Sequence, residues 1–489
     1  MVNTRHSQSH PASNNPPLPK LPTDSLLATR TTDALLKKLS VLHTALSALP
    51  QDPAVTATLK KPLEGIRKEL VSRVLLLHKE RGVKALTACC LGEILRVYAP
   101  EAPYTQEELR DIFQFFFRQL VVGLGKGGNV QEDPWYAETY HLLESLSTVK
   151  SVVLVCDLPS PTAEDMLVGI FTDVFTIANR ASTSNASSSS NTATKKVEMF
   201  LADILVALLD ETSSVPSQVL EIILAQFAQD SPTKSSKTTP AGRGGYRLAV
   251  NVCTAATDRL QRHVCQHFTD LLTSHSLNQD SDEDSDEPSS KDKGDKGLSN
   301  QAMERLKTTH DLIFRIHLAC PGILHSVIPI LESELRADKV EVRVVATRTL
   351  GWMYAGFLSS SKPSSSSDEA TKSTTTHAQP FIGPSKTAVD LYRKYPSTWS
   401  SWLARRVDIS PLVRLACVEA VPGMLVGLGG VGVGLDANAI ASTESPSASL
   451  ECASLVFFVN FRRLTLVKPS WIRSSSIQMT RSDLRLVGL

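Results

Sequence analysis

The chain has 489 residues and a net charge of +1 at neutral pH, so its overall charge does not indicate a polyanion-binding protein. Its eight cysteines have no paired spacing, which indicates free thiols in a reducing compartment rather than a disulfide framework. The N-terminal residues lack the apolar core of a signal peptide, and the longest apolar runs are too short to span a bilayer. We therefore expect an intracellular protein of about three domains, or of one extended repeat array.

Residues 1–24 are polar and rich in proline, and we expect them to form a disordered tail. From Asp33 onward, apolar residues recur at steps of three and four, the spacing of one face of an α-helix. A capping box of Thr105 and Glu108 predicts the start of one helix. The other predicted helices are a first one carrying Leu35, Leu36, Leu39, Leu42 and Leu46, then segments 62–78, 135–155, 163–180 and 196–210, and one opened by Pro216.

One helical pattern occurs three times along the chain. The segments VKALTACCLGEI (83–94) and VRVVATRTLGWM (342–353) both begin with valine and a basic residue, and both reach Leu-Gly eight residues after the valine. The segment VRLACVEAV, which begins at Val413, repeats the opening and again has an apolar residue eight positions later. Three helices of one design indicate an internal repeat.

The residues before 342–353 complete the repeating unit. An amphipathic helix carrying Leu331 and Leu335 precedes a short turn, and a second capping box is predicted at Asp338 and Glu341. Helix, short turn and capped helix form the HEAT-type unit of roughly 40 residues. We therefore predict an all-α fold, an α-solenoid in which each repeat packs on its neighbours.

We expect this solenoid to span residues 25–430. Polar, low-complexity segments interrupt its helical periodicity, as insertions between repeats do, and they are predicted to be disordered near 182–195, 230–245, 274–300 and 359–384. Residues 431–489 lack helical periodicity and capping residues, so we expect an atypical, poorly ordered tail there.

Two glycine-rich segments resemble nucleotide-binding loops only in composition. The pattern GxGxxG is formed by Gly427, Gly429 and Gly432, but no strand precedes it as a dinucleotide fingerprint requires. The glycines that follow Gly123 lack the Lys-Ser/Thr ending of a phosphate loop and indicate a helix terminus.

Two groups of polar residues are candidates for metal or anion binding. Four possible metal ligands occur within fifteen residues, but they lack the paired spacing of a zinc site: Cys253, His263, Cys265 and His267. Lys84, Arg343 and Arg414 occupy equivalent positions in the three repeats. Repeated placement favours a structural ladder, in which each cation bonds a carboxylate or a helix end in the next repeat.

A corner with two prolines follows the first of the repeated helices. Two Ala-Pro steps restrict the backbone and would hold Glu101 between two stiff residues, close to the aromatic ring of Tyr104. A rigid, exposed ledge with a carboxylate and an aromatic ring suits a short peptide that carries an aromatic and a cation. A plain helix–helix turn explains the same residues equally well. The candidate peptide-binding residues are Ala99, Pro100, Glu101, Ala102, Pro103 and Tyr104.

Several blocks of the sequence resemble the N-terminal part of the Pds (precocious dissociation of sisters) family of cohesin regulators. The blocks follow the family's order between about residues 33 and 424. The family's Ala-Pro-Asp-Ala-Pro motif corresponds to residues 99–103, with Glu101 in place of the usual aspartate. The resembling blocks are GVKALTACCLGEILRVYAPEAPYT, LLESLSTVKSVVLVCDL, VPSQVLEIILAQF, PGILHSVIPILESELRADKVEVRVVATRTLGWM and YPSTWSSWLARRVDISPLVRLACVEAV.

This resemblance implies a nuclear, chromatin-associated scaffold without enzymatic activity, cofactor or metal. Its implied partners are the kleisin and SMC subunits of cohesin, the release factor Wapl and the cohesion acetyltransferase, with chromatin reached through cohesin. The family motif at residues 99–103 is implied to receive short aromatic-containing peptides from Wapl and its competitors. Family members continue through further repeats, and we expect much of the kleisin contact to lie there.

Other classes of function remain as alternatives to this interpretation. A generic HEAT-repeat adaptor for transport or for a phosphatase would explain the repeats but not the Ala-Pro-Glu-Ala-Pro and Tyr-Pro-Ser-Thr-Trp blocks. A metal- or nucleotide-dependent enzyme would need the cysteine–histidine group or the glycine loops to be real sites. Direct DNA binding would require a basic surface, which the near-zero net charge does not favour.

Overall fold

A computed structural model describes the chain from residue 25 to residue 429 with internal gaps. Both predicted tails, 1–24 and 431–489, and the central parts of the predicted insertions lie outside the described residues. The described residues form α-helices and short 3₁₀-helices, with no β-strand among them. The gaps are residues 30, 52, 125–132, 182–189, 229–242, 278–299, 356–390 and 392.

The described residues fall into two compact units, which divide after Ile330. In the first unit, the helices follow one another along the chain. In chain order they are α1 (Thr32–Ser47), α2 (Pro53–Leu70), α3 (Arg73–Leu76), α4 (Arg81–Tyr98), α5 (Gln106–Leu124), α6 (Tyr136–Val149), α7 (Thr162–Ala181), α8 (Ser190–Glu211), α9 (Ser217–Ala228), α10 (Gly244–Ala255), α11 (Thr257–Leu277) and α12 (Asn300–Ala319). The 3₁₀-helices of this unit are Ser151–Val155 and Pro321–Leu324.

Two layers of helices build the first unit. Helices α1, α4, α6, α8 and α10 lie side by side in one layer, each packed on the next, and α5, α7 and α9 form a second layer in the same order. The apolar face predicted for α1 is buried, since Leu39, Leu42 and Leu46 are inaccessible to solvent. Such stacking of neighbouring helix pairs is the α-solenoid that the sequence predicts.

The second unit contains two helices of the repeated pattern. Helix α13 (Ile328–Glu334) contains the boundary between the units, and the helices after it are α14 (Val340–Ala355), α15 (Pro396–Ala404) and α16 (Pro411–Gly429), with a 3₁₀-helix at Arg405–Val407. Helices α14 and α16 pack along each other. The two helices are in close contact at Gly351, where an added Cβ atom would lie 2.5 Å from the Cβ of Ala420.

The repeated Leu-Gly pair therefore has a packing role in both copies. Gly92 faces Leu142 of α6, and Gly351 faces Ala420 of α16, so each glycine lies where its helix meets the next helix of the stack. At Gly351 a side chain would clash with Ala420, whereas at Gly92 an added Cβ atom would make an ordinary contact, 3.6 Å from Cδ1 of Leu142. The spacing seen in the sequence thus marks the contact between consecutive repeats.

Two local expectations differ from the structure. The second helix begins at Pro53, and Pro62, the predicted first residue, lies inside it. The edges of three predicted insertions are helical, because α8 begins at Ser190, α10 begins at Gly244 and α11 continues to Leu277. None of the helices in the described part of the chain combines the length and apolar composition that crossing a membrane requires.

Candidate functional site

The double-proline corner connects α4 to α5 in the first unit. Helix α4 ends at Tyr98 and α5 begins at Gln106, so residues 99–105 form a connection without helical structure. Pro100 and Glu101 are exposed, whereas the remaining candidate residues of the corner are half-buried. The peptide bond between Ala99 and Pro100 is cis. The carboxylate of the corner is therefore open to solvent on a short segment held by helices at both ends.

The predicted capping box at the end of the corner is confirmed. The backbone N–H of Thr105 donates to Glu108 Oε2 at 2.8 Å, and the N–H of Glu108 donates to Thr105 Oγ1 at 3.3 Å. These reciprocal bonds satisfy two donors that the start of a helix otherwise leaves without partners. The corner thus ends at a defined position on α5.

An arginine of α2 holds the other side of the corner. The guanidinium of Arg67 donates a hydrogen bond to the carbonyl of Pro103 and lies 5.9 Å from the centre of the Tyr104 ring. Such cation–π contacts stabilise by roughly 0.5–2 kcal/mol, depending on exposure. Arg67 is a component of this site that sequence reasoning missed, because it lies 36 residues before Pro103 and no local pattern links the two.

The structure corrects the expectation of an exposed aromatic ring at Tyr104. Its side chain is half-buried, and its hydroxyl is buried without a hydrogen-bond partner among the described residues. Burial raises the pKa of Tyr104 well above its usual range, although the nearby charge of Arg67 opposes that rise. Tyr104 therefore supports the corner from within, and Glu101 and Pro100 form its accessible surface.

The last turn of α4, from which the corner departs, is anchored to α1. Arg96 donates to the carbonyls of Leu46 and Leu49 at 3.0 Å each and to Glu93 Oε2 at 2.6 Å. Leu46 lies in the last turn of α1, where helix geometry leaves carbonyls without intrahelical partners, and Leu49 lies just after the helix. Arg96 thus joins the ends of two neighbouring helices, which limits movement of the corner.

Of the three repeated cations, Arg343 makes the predicted contact with the next repeat, whereas Arg414 bonds the turn before its own helix. Arg343 donates to the carbonyls of Ala337 and Asp338 at 2.8 and 2.7 Å and pairs with the carboxylate of Asp408. Arg414 repeats the backbone part of this motif on the carbonyls of Asp408 and Ile409. Lys84 makes no side-chain hydrogen bond within the described part of the chain, so the ladder is not formed at the first repeat.

The four cysteine and histidine candidates are not brought together. Cys253 is buried in α10 and lies beside Cys320, whereas Cys265 Sγ lies 3.5 Å from the carbonyl of Ser326. The group of three potential metal ligands that the described residues do assemble is a different one, His43, Glu93 and His141. Consecutive members of this group are about 50 residues apart in the sequence, which is about one repeat. This spacing is the only feature of the sequence that could have predicted the group.

The glycine segments also differ from nucleotide loops. Gly427 and Gly429 lie inside α16, and Gly432 lies outside the described residues. Helix α5 ends at Leu124, next to Gly123, as expected of a helix terminus, and the glycines that follow lie outside the described residues.

Comparison with known proteins identifies relatives across most of this chain. Residues 33–429 match the sequence model of the family described as sister chromatid cohesion protein PDS5. The chain is 31% identical to sister chromatid cohesion protein pds5 of Schizosaccharomyces pombe, over 81% of this chain and 27% of the relative. It is 27% identical to PDS5 of Saccharomyces cerevisiae, over 81% of this chain and 26% of the relative. The chain therefore spans about a quarter of the length of these curated relatives.

A solved structure of a Pds5–Scc1 complex has the same fold. Its similar chain superposes with a TM-score of 0.60 and 24% sequence identity, over 83% of this chain and 51% of that one. The family-model match, over residues 33–429, includes all three repeated helices and the corner between α4 and α5. The chain belongs to the PDS5 family of sister chromatid cohesion proteins.

Proposed function

We propose that this chain is a non-enzymatic scaffold that regulates cohesin, and through it sister-chromatid cohesion, on chromatin in the nucleus. The observation that supports this most strongly is the family match, which extends over residues 33–429. The proposed cohesin partners are the kleisin and SMC subunits. A solenoid suits this role because stacked repeats offer long surfaces on which several proteins can dock.

Within this scaffold, we propose that residues 99–104 form the docking site for a short peptide of a Wapl-type release factor or of the cohesion acetyltransferase. The exposed Glu101 carboxylate would pair with a cation of that peptide. Pro100 offers an exposed apolar surface beside it for an aromatic side chain. Tyr104 and Arg67 support the corner from beneath, so the backbone loses little conformational freedom when a peptide binds.

The substitution of glutamate for the family's aspartate keeps the charge of the site and lengthens its reach. One additional methylene moves the carboxylate outward from the backbone. Because Glu101 is exposed, this longer side chain can be accommodated without displacing a neighbour. We therefore propose that a peptide cation binds Glu101 farther from the backbone than it would bind an aspartate.

The experiment that tests the scaffold uses the full chain with purified proteins. The chain is immobilised and incubated separately with cohesin and with a Wapl-type release factor, and the bound proteins are quantified. Retention of cohesin or of the release factor supports the proposed function. A folded chain that retains neither contradicts it, and stoichiometric phosphatase or transport-receptor binding instead would favour the generic adaptor.

A further inference from the structure

Three side chains with metal-binding atoms converge between α1, α4 and α6. They are His43, Glu93 and His141, and one ligand atom from each lies within 4.8 Å of the others. His141 Nε2 lies 2.9 Å from Glu93 Oε1, and the rings of His43 and His141 meet edge to face with centroids 4.9 Å apart. Each residue comes from a different helix of one layer, so helix packing alone assembles the group.

One ring nitrogen of His43 takes no part in the hydrogen bonding of the described residues. Its Nε2 atom is buried and has no hydrogen-bond partner among the described residues. A buried nitrogen without a partner destabilises the folded chain. Burial lowers the pKa of His43, the neighbouring His141 lowers it further, and Glu93 acts in the opposite direction. A neutral imidazole offers the lone pair that a metal ion requires.

Hydrogen bonds from Arg96 and His141 hold the Glu93 carboxylate in place. Its side chain is almost fully buried, and Arg96 occupies one carboxylate oxygen while His141 contacts the other. Burial alone would raise the pKa of Glu93, but the bonds from His141 and Arg96 outweigh burial and lower it, so the carboxylate is ionised. Outer partners that hydrogen-bond a ligating carboxylate are common around bound metals.

The chemistry of this group selects among metal ions. Two imidazoles do not suit Mg²⁺ or Ca²⁺, which take oxygen ligands. Two histidines and one carboxylate are a set that proteins use for Zn²⁺, with a fourth position left for water. Both histidine side chains are half-buried rather than fully enclosed.

We propose that His43, Glu93 and His141 bind one Zn²⁺ ion that joins α1, α4 and α6. Zinc–ligand distances of about 2.0–2.2 Å place tetrahedral ligand atoms roughly 3.4 Å apart. His141 Nε2 and Glu93 Oε1, now 2.9 Å apart, therefore separate slightly, and ligand atoms that lie up to 4.8 Å apart move closer around the ion. The His141–Glu93 hydrogen bond is replaced by two bonds to the metal, and the proton on His141 is released. The ion fixes the second half of α4, whose end carries the corner at residues 99–104.

The test uses the full chain after removal of metal by a chelator and dialysis. Calorimetric titration with ZnCl₂ is expected to show one equivalent bound, while MgCl₂ gives no binding. His43→Gln and His141→Gln should each weaken zinc binding beyond the roughly 10–100-fold that loss of an outer-shell partner causes. His263→Gln is the matched control, since His263 belongs to the other histidine group and should leave zinc affinity unchanged.

Two further measurements separate this site from the cysteines. Co²⁺ bound by histidine and carboxylate should show visible d–d bands without the thiolate charge-transfer band that cysteine ligands give. Zinc should raise the melting temperature of the wild type and of His263→Gln, but not that of His43→Gln. Absence of zinc binding, binding that His43→Gln leaves intact, or a thiolate band would each overturn the proposal. Circular dichroism of each variant establishes that it is folded, and His43→Gln is the least disruptive because His43 Nε2 has no partner among the described residues.

Discussion

Replacing Gly351 with alanine is expected to destabilise the second unit by about 1–2 kcal/mol. The new methyl group would lie 2.5 Å from the Cβ of Ala420 and 3.2 Å from Cζ2 of Trp402. Neither neighbour can turn aside, because Ala420 has no rotatable side chain and Trp402 is fully buried with its indole N–H bonded to the Thr347 carbonyl at 2.8 Å. Overpacking costs about 1–3 kcal/mol, and a 2.5 Å contact with neighbours that cannot move belongs at the upper end of that range. The better helix propensity of alanine offsets about 1 kcal/mol.

Urea unfolding provides the assay for this substitution. Tryptophan fluorescence reports mainly on the second unit, where Trp352, Trp399 and Trp402 lie, and circular dichroism reports on the whole chain. The control is Gly169→Ala in α7, where no atom lies within 4 Å of the added methyl group, and this variant should be about 0.5–1 kcal/mol more stable than wild type. A Gly351→Ala chain as stable as wild type would refute the close contact between α14 and α16.

Two further substitutions test local features of the account. Thr105→Ala removes the capping box with Glu108 and should lower the free energy of unfolding by about 0.5–2 kcal/mol in urea; no change would argue against the cap. For Asp408, burial alone would raise the pKa, but the Ser410 N–H and Arg343 outweigh it and lower the pKa. Its contribution to stability is therefore fully present above the unfolded pKa of about 3.9 and is lost as pH falls through the lower folded value. The urea midpoint of unfolding, measured as a function of pH, should therefore fall less steeply at acid pH in Asp408→Asn than in the wild type. The same pH dependence in both chains would contradict the pairing.

Features that depend on nearby residues could be predicted from the sequence. The spacing of apolar residues around Leu39 and Leu42 correctly predicted a buried helix face, and Thr105 with Glu108 correctly predicted the start of a helix. Each of these patterns lies within one or two helical turns. The capping box predicted at Asp338 and Glu341 was wrong. The first backbone bond of α14 is accepted by Lys339 instead, and Arg343 occupies the carbonyls of the turn.

Contacts between repeats could not be predicted in the same way. Arg67 reaches Pro103 from another helix, and Arg96 reaches Leu49 from 47 residues away, so no local spacing encodes either bond. Tyr104 is half-buried and in contact with Arg67 of another helix, and the sequence around Tyr104 gives no sign of that contact. Such pairings depend on how far one helix is offset along the next, and that offset is set by packing of the whole stack.

The proposed docking site is tested most directly by the affinity of a purified Wapl-type release factor for the full chain and two charge-reversal variants. If Glu101 pairs with a peptide cation, Glu101→Lys should cost roughly 2–5 kcal/mol of binding free energy, the range for disrupting a charge pair that becomes buried in a complex. Glu107→Lys is the matched control, because Glu107 is also exposed and changes net charge equally, but lies on α5 beyond the corner. The account predicts wild-type affinity for Glu107→Lys and a large loss for Glu101→Lys, with both variants folded by circular dichroism. Equal affinity of all three chains would contradict the assignment of the corner as the docking site.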